Sequence, residues 1–208
     1  MMQLLELFPT IVAVFDCDTF DSDAPKWRSE IAKAIKERQE RHGALEYQTD
    51  DRLHERLELA GLINFFRRCS AEYMQALKYR SGIELRLECC WATALVGEGD
   101  DCSEILQHAN SFLSGAFYLD VDELAKPLIF RDPRPQNRIF DIPVEQELRI
   151  NRKSYTIGPS NGRLILFPSW LEHRVRPSLS DVPRISLSFN MTVHGQMGSI
   201  GELTRATI

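Results

Sequence analysis

The stretch Asn161–Asn190, reading NGRLILFPSWLEHRVRPSLSDVPRISLSFN, leaves this chain few choices of fold. After a turn at Gly162, Leu164, Leu166 and Pro168 alternate with Ile165 and Phe167, and the apolar run stops at His173, which has charged neighbours on both sides. The chain then turns through Pro177, Ser180, Asp181 and Pro183 and resumes as a strict polar/apolar alternation from Arg184 to Asn190. Two strands joined by a hairpin-like connection are expected, with Arg184, Ser186, Ser188 and Asn190 on one face of the second. A solvent-facing strand gives the same alternation and is the commoner explanation. The company of these residues argues for more. A His closing one strand and an Arg opening the next can meet across an antiparallel pair. The imidazole is a neutral nitrogen ligand for a divalent metal, and the Arg with a hydroxyl two residues on is a fork for a carboxylate. Together they describe a site for an α-keto acid.

The remaining elements precede this pair. Leu4–Asp16 has the β-branched and aromatic content of a strand, and its Phe8-Pro9 corner places it at a sheet edge. Pro25–Arg41 follows Asp23, a candidate cap, and carries Trp27, Ile31, Ala34 and Ile35 on one face, so it reads as a helix covering a sheet. Gly43–Gln48 is a loop. Thr49 or Asp50 caps a second helical region reaching about Arg80, with a stripe of Leu57, Leu59, Leu62, Ile63, Phe66, Met74 and Leu77. From Gly82 the period changes. Strands are expected at Ile83–Val96, Ile105–Ser111, Leu113–Val121, Leu128–Phe130, Glu147–Ile150 and Tyr155–Ile157, with a turn at Gly97–Asp101. Helices first and short strands afterwards predict an α+β chain ending in a β-sandwich or barrel.

At 208 residues the chain is long enough for one sizeable domain that buries roughly 70% of its unfolded surface. Its 25 basic and 30 acidic residues leave a net charge of −5, which makes nucleic acid the least favoured partner. The five cysteines, at 17, 69, 89, 90 and 102, lack CxxC spacing and read as reduced thiols, with adjacent Cys89 and Cys90 pointing to opposite faces of a strand. The amino terminus has neither the positive region nor the cleavage site of a signal peptide, and no apolar run is long enough for a membrane span, so a cytoplasmic location is expected. Pairing of the amino-terminal edge strand between subunits would make a homodimer. The arginine-rich loop bearing Arg131, Arg134, Arg138, Arg149, Arg152 and Lys153 is either a basic rim for an acidic substrate or, more commonly, a solvated face.

Of five histidines, His42, His54 and His194 sit at helix ends or beyond the last strand, where ordinary surface roles suffice. His108 lies in an expected strand leading into LSGAFYLDV, and beside His173 and Arg184 it becomes a candidate ligand. Two imidazoles and an oxygen ligand leave positions on iron(II) for a bidentate keto acid and dioxygen.

The blocks HANSFLSGAFYL (108–119), IFRDPR (129–134), GRLILFPSWLEHRVRP (162–177) and PRISLSFN (183–190) resemble the 2-oxoglutarate- and iron(II)-dependent oxygenases of the double-stranded β-helix, prolyl-hydroxylase-like family. The likeness extends to LFPTIV (7–12) and YQTDDRLHE (47–55). It implies a jelly-roll, cupin-like double-stranded β-helix core at about 83–194, with amino-terminal helices at 24–80 packed on one sheet. It further implies that His173 is the distal metal ligand, with His108 as another, and that Arg184 holds the C5 carboxylate of 2-oxoglutarate with help from Ser186. Tyr118 and Asn190 would line the site. Where relatives carry H-x-H-P, the first of the two His positions is Leu106 here and His108 is the second. A third ligand then comes from Asn110 or Glu104, or the site has two protein ligands. The implied activity is oxidation of an unknown small-molecule or peptide substrate, by hydroxylation or demethylation, with release of succinate and carbon dioxide. The alternative is a β-helix module that binds a metal or a small dicarboxylic acid without turnover.

Overall fold

The computed structural model describes residues 2–42, 48–95, 106–135, 139, 142–175, 183–199 and 201–208. The expected loop at 43–47, the turn at 97–101, Glu104 and Arg138 lie outside them. Ten strands and two α-helices follow in the order β1 (Ala13–Asp16), α1 (Phe20–His42), α2 (Ala60–Ala76), β2 (Glu84–Leu95), β3 (Leu113–Asp120), β4 (Leu128–Arg131), β5 (Ser154–Ile157), β6 (Arg163–Pro168), β7 (His173–Val175), β8 (Arg184–His194), β9 (Gln196–Met197) and β10 (Ala206–Thr207). Short 3-10 turns at Leu53–Glu55 and Leu57–Leu59 precede α2.

Five strands make one sheet in the order β1-β6-β3-β8-β2, and three make a second in the order β5-β4-β7, all with antiparallel neighbours. Because side chains alternate along each strand, the large sheet has two apolar tasks. Its outer face, with Phe117, Leu164, Leu166, Leu187 and Phe189, packs on Trp27 and Ile31 of α1 and Leu62, Phe65 and Phe66 of α2. Its inner face sends Tyr118, Ile165 and Phe167 against Leu128 and Phe130 of the small sheet. The architecture is therefore an α+β double-stranded β-helix with the amino-terminal helices on one sheet, as expected.

Gly115 is required where the layers cross. A Cβ there would lie 2.2 Å from the Phe189 ring, which itself stacks on Phe66 with centroids 4.5 Å apart. The small-residue position in the SG-aromatic-Tyr block thus admits an aromatic ring from the neighbouring strand.

Several boundaries differ from expectation. Of Leu4–Asp16 only the last four residues pair, with β6, and they form the sheet edge; Phe8 takes a left-handed φ of 58° before Pro9, which ends any regular ladder upstream. α1 starts before Pro25, which therefore lies inside the helix and leaves the Asp21 carbonyl without its usual amide donor, while Asp21 and Asp23 in the first turn suit the helix dipole. Neither Thr49 nor Asp50 caps a helix; the second helical region is broken at Arg56, whose extended backbone lets the guanidinium reach Glu30 at 2.5 Å and Glu37 at 2.6 Å on α1. Glu147–Ile150 is not a strand. Asn151 accepts a hydrogen bond from the Leu148 amide and donates to the Gln146 carbonyl, which closes a turn instead. Within Ile105–Ser111, Leu106 makes a single bridge and residues 109–110 turn.

Candidate functional site

Strand pairing aligns three polar rows on the inner face of the large sheet, because directly opposed residues share a face. Thr93 of β2, Ser186 of β8 and Tyr118 of β3 form one row; Trp91, Ser188 and Ala116 form the next; Cys89, Asn190 and Ser114 form the third. Arg184, at the start of β8, lies on the same face. The expectation that Arg184, Ser186, Ser188 and Asn190 point one way holds, and the way is inward. Arg184 is only 4% exposed and Asn190 is buried, while Ser186 and Ser188 are half-buried. The neighbouring cysteines also divide as expected: Cys90 is buried among the outer core, and Cys89 meets the Asn190 amide on the inner face.

The opposite wall brings the two candidate histidines together. The Leu106 amide donates to the His173 carbonyl at 2.8 Å and the His173 amide donates back at 3.1 Å, while the His108 amide donates to Ser169 at 3.0 Å. Leu106 and His173 are therefore directly opposed and on one side, and alternation brings His108 to that side too. The imidazole centroids are 5.1 Å apart, although the residues are far apart in the chain. Phe167 packs on His173 with centroids 4.7 Å apart, and Trp91 meets His108 at 6.1 Å, so the pair spans from the small sheet to the inner face of the large one.

Electrostatics suit these rings to metal ligation. Burial pushes the His108 pKa down to about 4, with the neighbouring His173 adding to the effect, and burial lowers the His173 pKa also. Both are neutral near pH 7, as a nitrogen ligand must be. His173 Nδ1 lies 2.9 Å from the Leu171 carbonyl, which can only accept; Nδ1 therefore carries the proton and Nε2 keeps its lone pair. Among the described residues no group of three His, Cys, Asp or Glu side chains could hold an ion. Asn110 sits exposed in a turn with φ 57°, and Leu106, 43% exposed, is bridged to His173 through the backbone. The remaining histidines fit the ordinary reading. His42 ends α1, His54 lies in a 3-10 turn, and His194 bonds Thr192 and Glu88.

Tyr118 lies close enough to Arg184 to feel its charge. Burial raises the Tyr118 pKa to about 12, opposed by the nearby Arg184 and Arg163 charges, so its hydroxyl stays protonated as a donor. Asn190 faces inward as expected, but both ends of its amide are engaged: Oδ1 accepts from Ser114 at 2.7 Å and Nδ2 approaches Cys89 Sγ at 3.6 Å. Ser114 in turn meets Ser169 Oγ at 2.8 Å. Sequence reasoning did not assign Ser114, Ser169, Trp91 or Phe167 a task. The signal for Ser114, Phe167 and Ser169 was present in the SG and FPSW blocks, whereas Trp91 lies in β2; the Ser114–Ser169 pair ties β3 to the turn whose Ser169 carbonyl accepts from the His108 amide. The arginine-rich loop is an ion-paired surface where it is described: Arg131 meets Glu172 at 3.6 Å, Arg134 chelates Asp132, Arg149 meets Glu6 at 2.5 Å and Arg152 lies over Tyr155.

A β-helix with two neutral imidazoles in its interior and a buried arginine on the facing strand is the arrangement that the resemblance to 2-oxoglutarate- and iron(II)-dependent oxygenases implies. Residues 89–190 match the model of the family described as "Putative 2OG-Fe(II) oxygenase". Solved structures share the fold. HygX from Streptomyces hygroscopicus, with nickel and 2-oxoglutarate bound, is similar at TM-score 0.55 and 13% identity over 88% of this chain and 82% of its own. The non-heme alpha ketoglutarate dependent epimerase SnoN from nogalamycin biosynthesis gives 0.58 and 14% over 88% and 76%. A prolyl 4-hydroxylase from Phytophthora capsici gives 0.56 and 17% over 92% and 64%. No curated protein matches the chain in sequence. No helix among the described residues is long and apolar enough to cross a membrane.

Proposed function

We propose that this protein is an oxygenase in which His108 and His173 ligate iron(II) and Arg184, with Ser186, grips the C5 carboxylate of 2-oxoglutarate. The carrying observation is the convergence of two neutral rings, 5.1 Å apart, on the interior that Arg184 and Ser186 also face. Iron(II) bound there, with 2-oxoglutarate and dioxygen, supplies an oxidant that turns a substrate C–H bond into C–OH while the keto acid becomes succinate and carbon dioxide.

The protein's own residues supply the geometry. The Leu171 carbonyl keeps the Nε2 of His173 available, and Phe167 limits the tilt of that ring. Arg184 contributes a fixed charge in a buried setting, where a bidentate carboxylate pair is strongest. Tyr118, protonated throughout the working range, can donate a further hydrogen bond to the same carboxylate. The match of residues 89–190 to an oxygenase family model supports this enzyme over a module that binds without turnover. The substrate is a small molecule or a peptide rather than nucleic acid, given the acidic composition. The helices and β-helix act as one domain, working in the cytoplasm.

The test is an anaerobic thermal shift with iron(II), followed by 2-oxoglutarate. Each addition should raise the melting temperature, since a ligand that binds only the folded state stabilises it. A flat response to both overturns the proposal. Turnover is tested separately: succinate release with a screened metabolite pool should require oxygen, and oxygen-independent release contradicts it.

A further inference from the structure

A cavity of about 500 Å³ lies on the outer side of the large sheet, between α2 and the sheet edge formed by β2. Its helical wall is the stripe Arg67, Ser70, Ala71 and Met74, which one face of α2 presents by its i, i+3, i+4, i+7 spacing. Ser70 and Ala71 are small, and a gap therefore persists where larger side chains would close the helix onto the strand. Leu85 and Met191 add apolar surface from β2 and β8, and the turn between α2 and β2 contributes Arg80.

Three features distinguish this cavity from a packing gap. Its volume falls in the range of small-molecule sites. The Ser70 hydroxyl, in a residue 1% exposed, has no hydrogen-bond partner, which is costly for a buried polar atom. Arg67 and Arg80 have no ion-pair or side-chain hydrogen-bond partner among the described residues, whereas the one acid of the lining, Glu84, pairs with Arg86 at 4.0 Å. Two available guanidinia, a hydroxyl and a sulfur-rich apolar wall call for an anion with an apolar tail.

We propose that this cavity is a second ligand site that takes a single-chain carboxylic acid. The guanidinia hold the carboxylate, the Ser70 hydroxyl rotates to donate to it, and the tail lies against Met74, Leu85 and Met191. The site is separated from the histidine pair by the sheet and stands whether or not those rings bind metal.

Decanoate is titrated calorimetrically into the full chain at saturating 2-oxoglutarate, with decylamine as the cationic control. Decanoate should bind saturably at one site, and decylamine should not. Arg67→Ala with Arg80→Ala removes the charge, and Ala71→Phe fills the gap from an exposed helical position; each should weaken decanoate at least tenfold. Apo melting curves identify any variant that does not fold, and the arginine variant, altered only at exposed side chains, carries the test if Ala71→Phe fails. Absence of saturable binding, equal affinity in the folded variants, equal binding of decylamine, or displacement of decanoate by added 2-oxoglutarate overturns the assignment.

Discussion

Leu106 stands opposite His173 in a bridge of two backbone hydrogen bonds, two residues before His108. Under the proposed function, its side chain would take the place from which a third ligand reaches an ion held by the two rings. Leu106→His should accordingly tighten nickel(II) binding, measured by isothermal titration, by at least tenfold. Unchanged affinity would mean that residue 106 does not face the ion. The ring of His108 makes a second prediction. Burial lowers its pKa from the ordinary 6.5 to about 4, so between those values the unfolded chain binds a proton that the folded chain excludes. The stability that the neutral ring contributes is complete above about pH 6.5 and is lost as pH falls towards 4. In urea unfolding across that range, His108→Gln should show a shallower loss of stability than the parent protein; identical slopes would place the ring in solvent. His108 and His173 were legible as candidates because each stands out against an apolar segment. The turn that actually holds His108, with Asn110 left-handed, was not, since its only ladder partner is the three-residue β7.

At the level of elements, the packing of the β3–β8 pair beneath α2 depends on Gly115. Gly115→Ala would push a methyl into the Phe189 ring and disturb its stack on Phe66, an overpacking cost of about 1–3 kcal/mol. A parallel drop in denaturation midpoint with an unchanged m-value would bear this out; no loss of stability would show that the ring can move aside. The Ser114–Asn190–Ser169 chain gives a complementary test. Ser114→Ala leaves the Asn190 carbonyl oxygen buried without that donor, at about 1–3 kcal/mol, and should also weaken nickel(II) binding because Ser169 accepts from the His108 amide. Weaker folding with unaltered metal affinity would separate the network from the site. Strong periodicity made β3, β6 and β8 readable, since each buries both faces or alternates strictly. Elements set by tertiary contact were misread: Arg56 splits the second helical region because two carboxylates on α1 attract it, and no local pattern encodes that reach.

For the molecule as a whole, the large sheet serves two purposes at once. Its outer face is an aromatic core shared with the helices, centred on Phe66, Phe117 and Phe189, and its inner face carries the polar row Asn190, Ser188, Ser186 and Arg184 beside an apolar cluster shared with the small sheet. That division was visible in the alternation of PRISLSFN, where the apolar residues face the scaffold side and Arg184, Ser186, Ser188 and Asn190 face the interior. The meeting of His108 with His173 was expected through the family resemblance rather than from any local pattern, because it depends on how the strands close into a barrel, and the rings do meet, with centroids 5.1 Å apart. The most direct test of the account is the anomalous difference map of crystals soaked in nickel(II). One peak within bonding distance of both imidazoles, on the Nε2 side of His173, is the predicted result. A peak bonded to neither ring, or density at only one of them, would contradict it.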